Sequence, residues 1–129
     1  MAQDRESGAA GNQYGHEFGE KLAKLLGAHK LSNGSNECLL DGERIVIKCR
    51  HNGRVQKVGV THLMLERLVA VVGAFEEPDG SYTIIRLPAE RFRAAMTPTR
   101  SKGPSAGRVS EVRRAVFNRH GTVVCTLII

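Results

Sequence analysis

The chain has 129 residues, which suits one domain with a core of its own. Hydrophobic residues are 41% and charged residues 25%, the balance of a folded globular chain, and no apolar run reaches membrane-spanning length. The net charge of +6 is unevenly placed: from Arg91 to Arg119 eight basic residues stand against Glu111 alone, so this segment carries +7 and the remainder −1.

Residues 1–13 (MAQDRESGAAGNQ) are small and polar without period, and read as a disordered lead-in to a single domain over 14–129. A helix is expected over about Gly15 to Leu26, with Phe18, Leu22, Leu25 and Leu26 as its buried stripe and Gly27 as its stop. Residues 28–35 form a loop with Asn33-Gly34 as turn residues. Next comes NECLLDGERIVIKC, Asn36 to Cys49, in which Asp41-Gly42 is a two-residue hairpin turn of the I′ kind. That loop fixes the register: Leu40 faces Glu43, Cys38 faces Ile45, and Glu37 faces Val46. Alternation places Cys38, Leu40, Ile45, Ile47 and Cys49 on a core face. Glu37, Leu39, Arg44, Val46 and Lys48 share the other.

Beyond the hairpin, Arg50 to Gly59 reads as a basic, flexible loop carrying Arg50, His51, Arg54 and Lys57. Thr61 is a candidate N-cap for a short helix to Leu68. Val69 to Phe75 is a continuous apolar run, expected as a central strand buried on both faces. Pro78-Asp79-Gly80 turns the chain and Tyr82 to Leu87 returns as its partner. Pro88 opens a helix with Phe92, Ala95 and Met96 inward. Thr97 to Gly107 is a Gly/Pro/Ser/Thr-rich loop with Arg100 and Lys102, followed by Arg108, a helix over Val109 to Phe117, and a final apolar strand over Val123 to Ile129. The basic loop lacks the Gly-x4-Gly-Lys-Ser/Thr order of a P-loop, though its backbone N–H groups could still receive phosphates. The expected fold class is α/β, a mixed central sheet with flanking helices.

The three cysteines lie in predicted strands at spacings that match no zinc pattern, and read as buried thiols of a reducing, cytoplasmic compartment. The N-terminus has no basic-then-apolar signal, so secretion is not expected.

The hairpin resembles the catalytic hairpin of the PD-(D/E)xK nuclease superfamily, whose fold is the restriction endonuclease-like core. Glu37 stands where that family has its first acidic residue, and Val46-Ile47-Lys48 where it has (D/E)-x-K. The lysine is present and the acid two before it is replaced by Val46. The stretch GEKLAKLLG resembles the family's preceding helix, with Glu20 at its glutamate, and the resemblance runs from about Gly15 to Met96. It implies Mg²⁺-dependent phosphodiester hydrolysis, with Glu37 and Glu20 as metal ligands and Lys48 steadying the nucleophile or the developing charge.

The basic segment suits a polyanion, duplex DNA above all, with Arg50, Arg54, Arg100, Lys102, Arg108, Arg113 and Arg114 as binding residues. Two function classes follow. One is a nucleic-acid-binding protein resembling a Mg²⁺-dependent endonuclease with an incomplete active site, with a homodimer as one possible assembly. The alternative is a non-catalytic DNA-binding or protein-interaction module that keeps the nuclease fold, which the loss of a carboxylate at Val46 favours.

Overall fold

The computed structural model describes residues 17–31, 36–53, 55–99 and 107–128, and among them the chain is a mixed α/β fold. Helix α1 covers residues 17–26. Phe18, Leu22 and Ala23 are buried and Leu26 packs beside them, but Leu25 is exposed. The buried face is centred nearer Gly19 and Leu22 than the leucine spacing suggests, because Asn36 closes on the helix there. A Cβ on Gly19 would lie 2.2 Å from the Asn36 amide nitrogen. The helix ends at Gly27, which adopts a positive φ of 74° that a side chain would disfavour.

Strands β1 (His29–Lys30), β2 (Glu37–Leu40) and β3 (Glu43–Arg50) run antiparallel in turn. The β2–β3 turn has φ of 52° at Asp41 and 79° at Gly42, as a type I′ turn requires. Its register is the expected one, with Glu37 opposite Val46, Cys38 opposite Ile45 and Leu40 opposite Glu43.

Strand β5 (Ala70–Glu76) lies parallel to β3 and is buried at every residue but Glu76. A parallel pair needs a crossover. Here β4 (Lys57–Thr61) and helix α2 (His62–Arg67) provide it. The Thr61 hydroxyl accepts from Met64 N–H at 3.2 Å and caps α2 as expected. Strand β6 (Tyr82–Pro88) returns antiparallel to β5, so Pro88 ends a strand and helix α3 (Ala89–Ala95) starts after it. Strand β9 (Thr122–Leu127) pairs with β6. The large sheet thus has the order β1-β2-β3-β5-β6-β9.

A second sheet corrects two expectations. Arg50 to Gly59 is not a loop throughout, since β4 begins at Lys57, and Val109 to Phe117 is not one helix. Residues Val109–Arg113 form β8, and helix α4 covers Arg114–His120. Strand β7 (Thr97–Pro98) lies at the edge, giving the order β4-β8-β7. Val109, Val112 and Val116 fit helical spacing, but pairing to β4 makes the alternation decisive. Ser110 and Val112 on β8, and Val58 and Val60 on β4, all turn inward.

Two cores follow from the alternation along β3 and β5. Val46, Val71 and Phe75 face the small sheet, α2, α3 and α4, in a core completed by Phe92 and Phe117. Ile45, Ile47, Cys49 and Val72 face α1. Cys38, Cys49 and Cys125 are free thiols on strands; Cys38 and Cys49 are buried as expected, whereas Cys125, on the edge strand β9, is only half-buried. Among the described residues no helix is long and apolar enough to cross a membrane.

Candidate functional site

Glu37 opens β2 and is 95% buried, since its relative exposure is only 5%. A buried carboxylate must be paired, because desolvation strongly disfavours an isolated charge. Arg67, in the last turn of α2, supplies a two-pronged match: its Nε and Nη2 donate to Glu37 Oε2 and Oε1, each at 2.8 Å. Arg44, two residues before Val46 on the same face of β3, adds a third contact at 3.1 Å. Hydrogen bonding from Arg67, against the opposing effect of burial and with help from both guanidinium charges, holds the Glu37 carboxyl below its ordinary range.

Lys48 shares the Glu37 face but lies beyond the start of β2, across from Gly73 of β5. It is half-buried, and burial, with Arg50 nearby, lowers its pKa from the ordinary lysine value. Among the described residues its ammonium has no ion-pair partner. Glu20 is exposed on α1, and α1 packs against Ile45, Ile47 and Cys49, the side of β3 opposite Lys48. The fold therefore brings Glu37 and Lys48 to one face and leaves Glu20 on a helix of the other layer.

This donor set does not fit Mg²⁺. The ion demands near-octahedral oxygen ligation. Both Glu37 oxygens already accept from guanidinium groups, whose positive charge opposes a dication, and the facing position is the fully buried, apolar Val46. Among the described residues, no group of three or more His, Cys, Asp or Glu side chains is placed to hold a metal ion.

The basic residues separate into two kinds. Arg50 is turned inward: its Nε donates to Lys57 C=O and its Nη1 to Cys49 C=O at 2.7 Å, tying β3 to β4. Arg114 is a clamp. Its Nη1 and Nη2 reach the two Glu77 oxygens at 2.5 and 3.0 Å, Nη1 also reaches Gln56 Oε1 at 2.9 Å, and the guanidinium lies 5.1 Å from the Phe75 ring centre. Arg93 donates to Leu65 C=O at 3.4 Å. By contrast Arg91, Arg108, Arg113 and Arg119 are exposed, with no side-chain partner among the described residues. Arg108 and Arg113 flank and end β8. Close to Arg108, His62 N–H donates to its carbonyl at 2.9 Å, and the His62 ring meets the buried Ser110 hydroxyl at 2.7 Å. A groove of about 770 Å³ runs beside β8, with Lys57, Thr97, Glu111 and Arg113 on its walls. Arg54, Arg100 and Lys102 lie outside the described residues.

Arg67 was not marked by sequence reasoning, nor was the bond from Arg44 to Glu37. A basic residue in the last turn of a short helix signals helix-end electrostatics, and only the crossover from β4 through α2 carries it to Glu37. No family model matches this chain, and no curated protein matches it.

Proposed function

We propose that this chain is a non-catalytic nucleic-acid-binding module, with duplex DNA as its partner, that keeps a nuclease-like hairpin without metal chemistry. The observation that carries the reading is the exposure of Arg91, Arg108, Arg113 and Arg119 within the segment that holds the chain's positive excess. Such guanidinium groups displace condensed counterions from phosphates, so binding is sequence-tolerant and weakens with salt. The Glu37 cluster supports the non-catalytic part. A carboxylate gripped by two arginines holds β2, β3 and α2 together and is poorly disposed to take a dication.

The second reading, a metal-dependent endonuclease, is favoured by one feature: Lys48 lies on the Glu37 face, with no ion-pair partner among the described residues and with its pKa lowered by burial. Labelled duplex DNA incubated with Mg²⁺ separates the two. The expected result is retained binding and intact DNA for wild type and for Lys48→Met alike. Cleavage by wild type that EDTA and Lys48→Met each abolish, with circular dichroism unchanged, would establish the endonuclease instead.

A further inference from the structure

The small sheet sets two like charges against each other. Antiparallel pairing of β4 and β8 puts Lys57 directly opposite Arg113, and a like-charged cross-strand pair destabilises the ladder that carries it. Ser110 and Val112 turn inward on β8, so Glu111 and Arg113 belong to the other face, together with Lys57 and with Thr97, which pairs with Glu111 from β7. Among the described residues Glu111 is the one acid on the walls of the groove beside β8, and it lies 3.6 Å from Lys57. One carboxylate thus stands beside two cations, and Arg113 is left exposed with no side-chain partner among the described residues. Next to these charges the groove has an apolar wall, made by Ala95 at the end of α3 and by Ala115 and Val116 in the first turn of α4.

We propose that this groove receives a single unpaired nucleotide of a nucleic-acid strand, with its phosphate between Lys57 and Arg113 and its base against the apolar wall. The proposal rests on the nucleic-acid reading and narrows it, from duplex DNA in general to a duplex that carries an unpaired base. Charge selects the phosphate. An anion between the two cations removes the repulsion that Glu111 leaves uncompensated, and an ammonium and a guanidinium are both good donors to phosphate oxygens. A bare anion would use only the charged end of the groove. A nucleotide joins an anionic end to a flat ring with apolar faces, and so matches both ends. The volume of about 770 Å³ has room for one such unit, since small-molecule sites occupy about 300–1,000 Å³. A base inside a continuous stack is held away from a recess of this kind, whereas an unpaired base leaves the stack at the least cost.

Fluorescence anisotropy of labelled duplexes, titrated with the 129-residue chain at one low salt concentration, tests the proposal. The probes are a perfect duplex, the same duplex with a single bulged nucleotide, and that bulge with its base removed. The bulged duplex should bind about tenfold more tightly than the perfect one, and the abasic bulge should lose the gain, because the difference comes from burying the base. Ala115→Trp fills the groove from an exposed position and should abolish the preference with circular dichroism unchanged. Equal affinity for the perfect and bulged duplexes, or a preference that either the abasic bulge or Ala115→Trp retains, overturns the proposal and leaves the nucleic-acid reading standing. Absence of binding to every duplex overturns that reading as well. Should Ala115→Trp fail to fold, amide spectra of the wild type decide: deoxycytidine monophosphate must shift the Ala95, Val112 and Ala115 signals more than inorganic phosphate does, and equal shifts refute the base contact.

Discussion

Adjacent arginines at the β8–α4 junction have opposite roles, and this gives a sharp test. Arg114 makes a two-oxygen match to Glu77, a bond to Gln56 and a stack on Phe75, whereas Arg113 is exposed and unpaired among the described residues. The Arg114 and Glu77 side chains are 22% and 30% exposed, so their pair lies between the weak surface case and the buried one and contributes about 1 kcal/mol. The Gln56 bond adds about 1 kcal/mol and the stack on Phe75 about 0.5–1 kcal/mol. Arg114→Ala should therefore cost about 2–3 kcal/mol, which lowers Tm by roughly 10 °C in a domain of this size. Arg113→Ala should stay within about 0.5 kcal/mol. If Arg113 meets a phosphate, its loss should also make the slope of log K against log salt shallower by about 0.9. Urea unfolding followed by circular dichroism measures the first pair of effects, and DNA titration measures the second. An Arg114→Ala variant as stable as wild type would refute the clamp, and one that keeps its stability while losing a unit of salt slope would reverse the two assignments.

Glu37 and Glu77 are both held below the ordinary carboxyl value of 4.5, chiefly by hydrogen bonds from Arg67 and Arg114. A lowered folded-state pKa gives stability that is complete above about pH 4.5 and is lost as the pH falls through the folded value. Glu37→Gln should therefore flatten the acid loss of urea midpoint, and an acid profile identical to wild type would count against the pairing. Gly73→Ala should destabilise by about 1–3 kcal/mol, because a Cβ there would lie 2.5 Å from the Phe75 ring and 3.3 Å from Phe117; an unchanged unfolding midpoint would contradict this packing. Mg²⁺ should leave the wild-type Tm unmoved, and a concentration-dependent rise would show a dication site that the Glu37–Arg67 contact ought to prevent.

Local signals carried much of this architecture. Asp41-Gly42 fixed the hairpin register because a two-residue turn admits little choice, and the apolar run after Leu68 marked the central strand because both its faces are covered. Thr61 announced its helix through a cap that needs only three residues of context. The small sheet was not legible. β4 is five residues long with Gly59 in its middle, and VSEVR satisfies helical and strand spacing equally until β4 and β8 meet. The same limit applies to the site. Glu37 and Lys48 were placed on one face by alternation alone, but Arg67 reaches Glu37 from 30 residues away in sequence. Charge counting could not distinguish Arg113 from Arg114, because their difference lies in Glu77, Gln56 and Phe75.

The central claim is that this chain binds nucleic acid through exposed arginines. Fluorescence anisotropy of a labelled duplex, titrated with the chain at rising salt, tests it most directly. The account predicts that log K falls linearly with log salt, by about 0.9 for each phosphate neutralised. It also predicts a shallower line for a variant with Arg108 and Arg113 changed to Ala. Absence of binding at low salt, or a slope that this variant leaves unchanged, would contradict it.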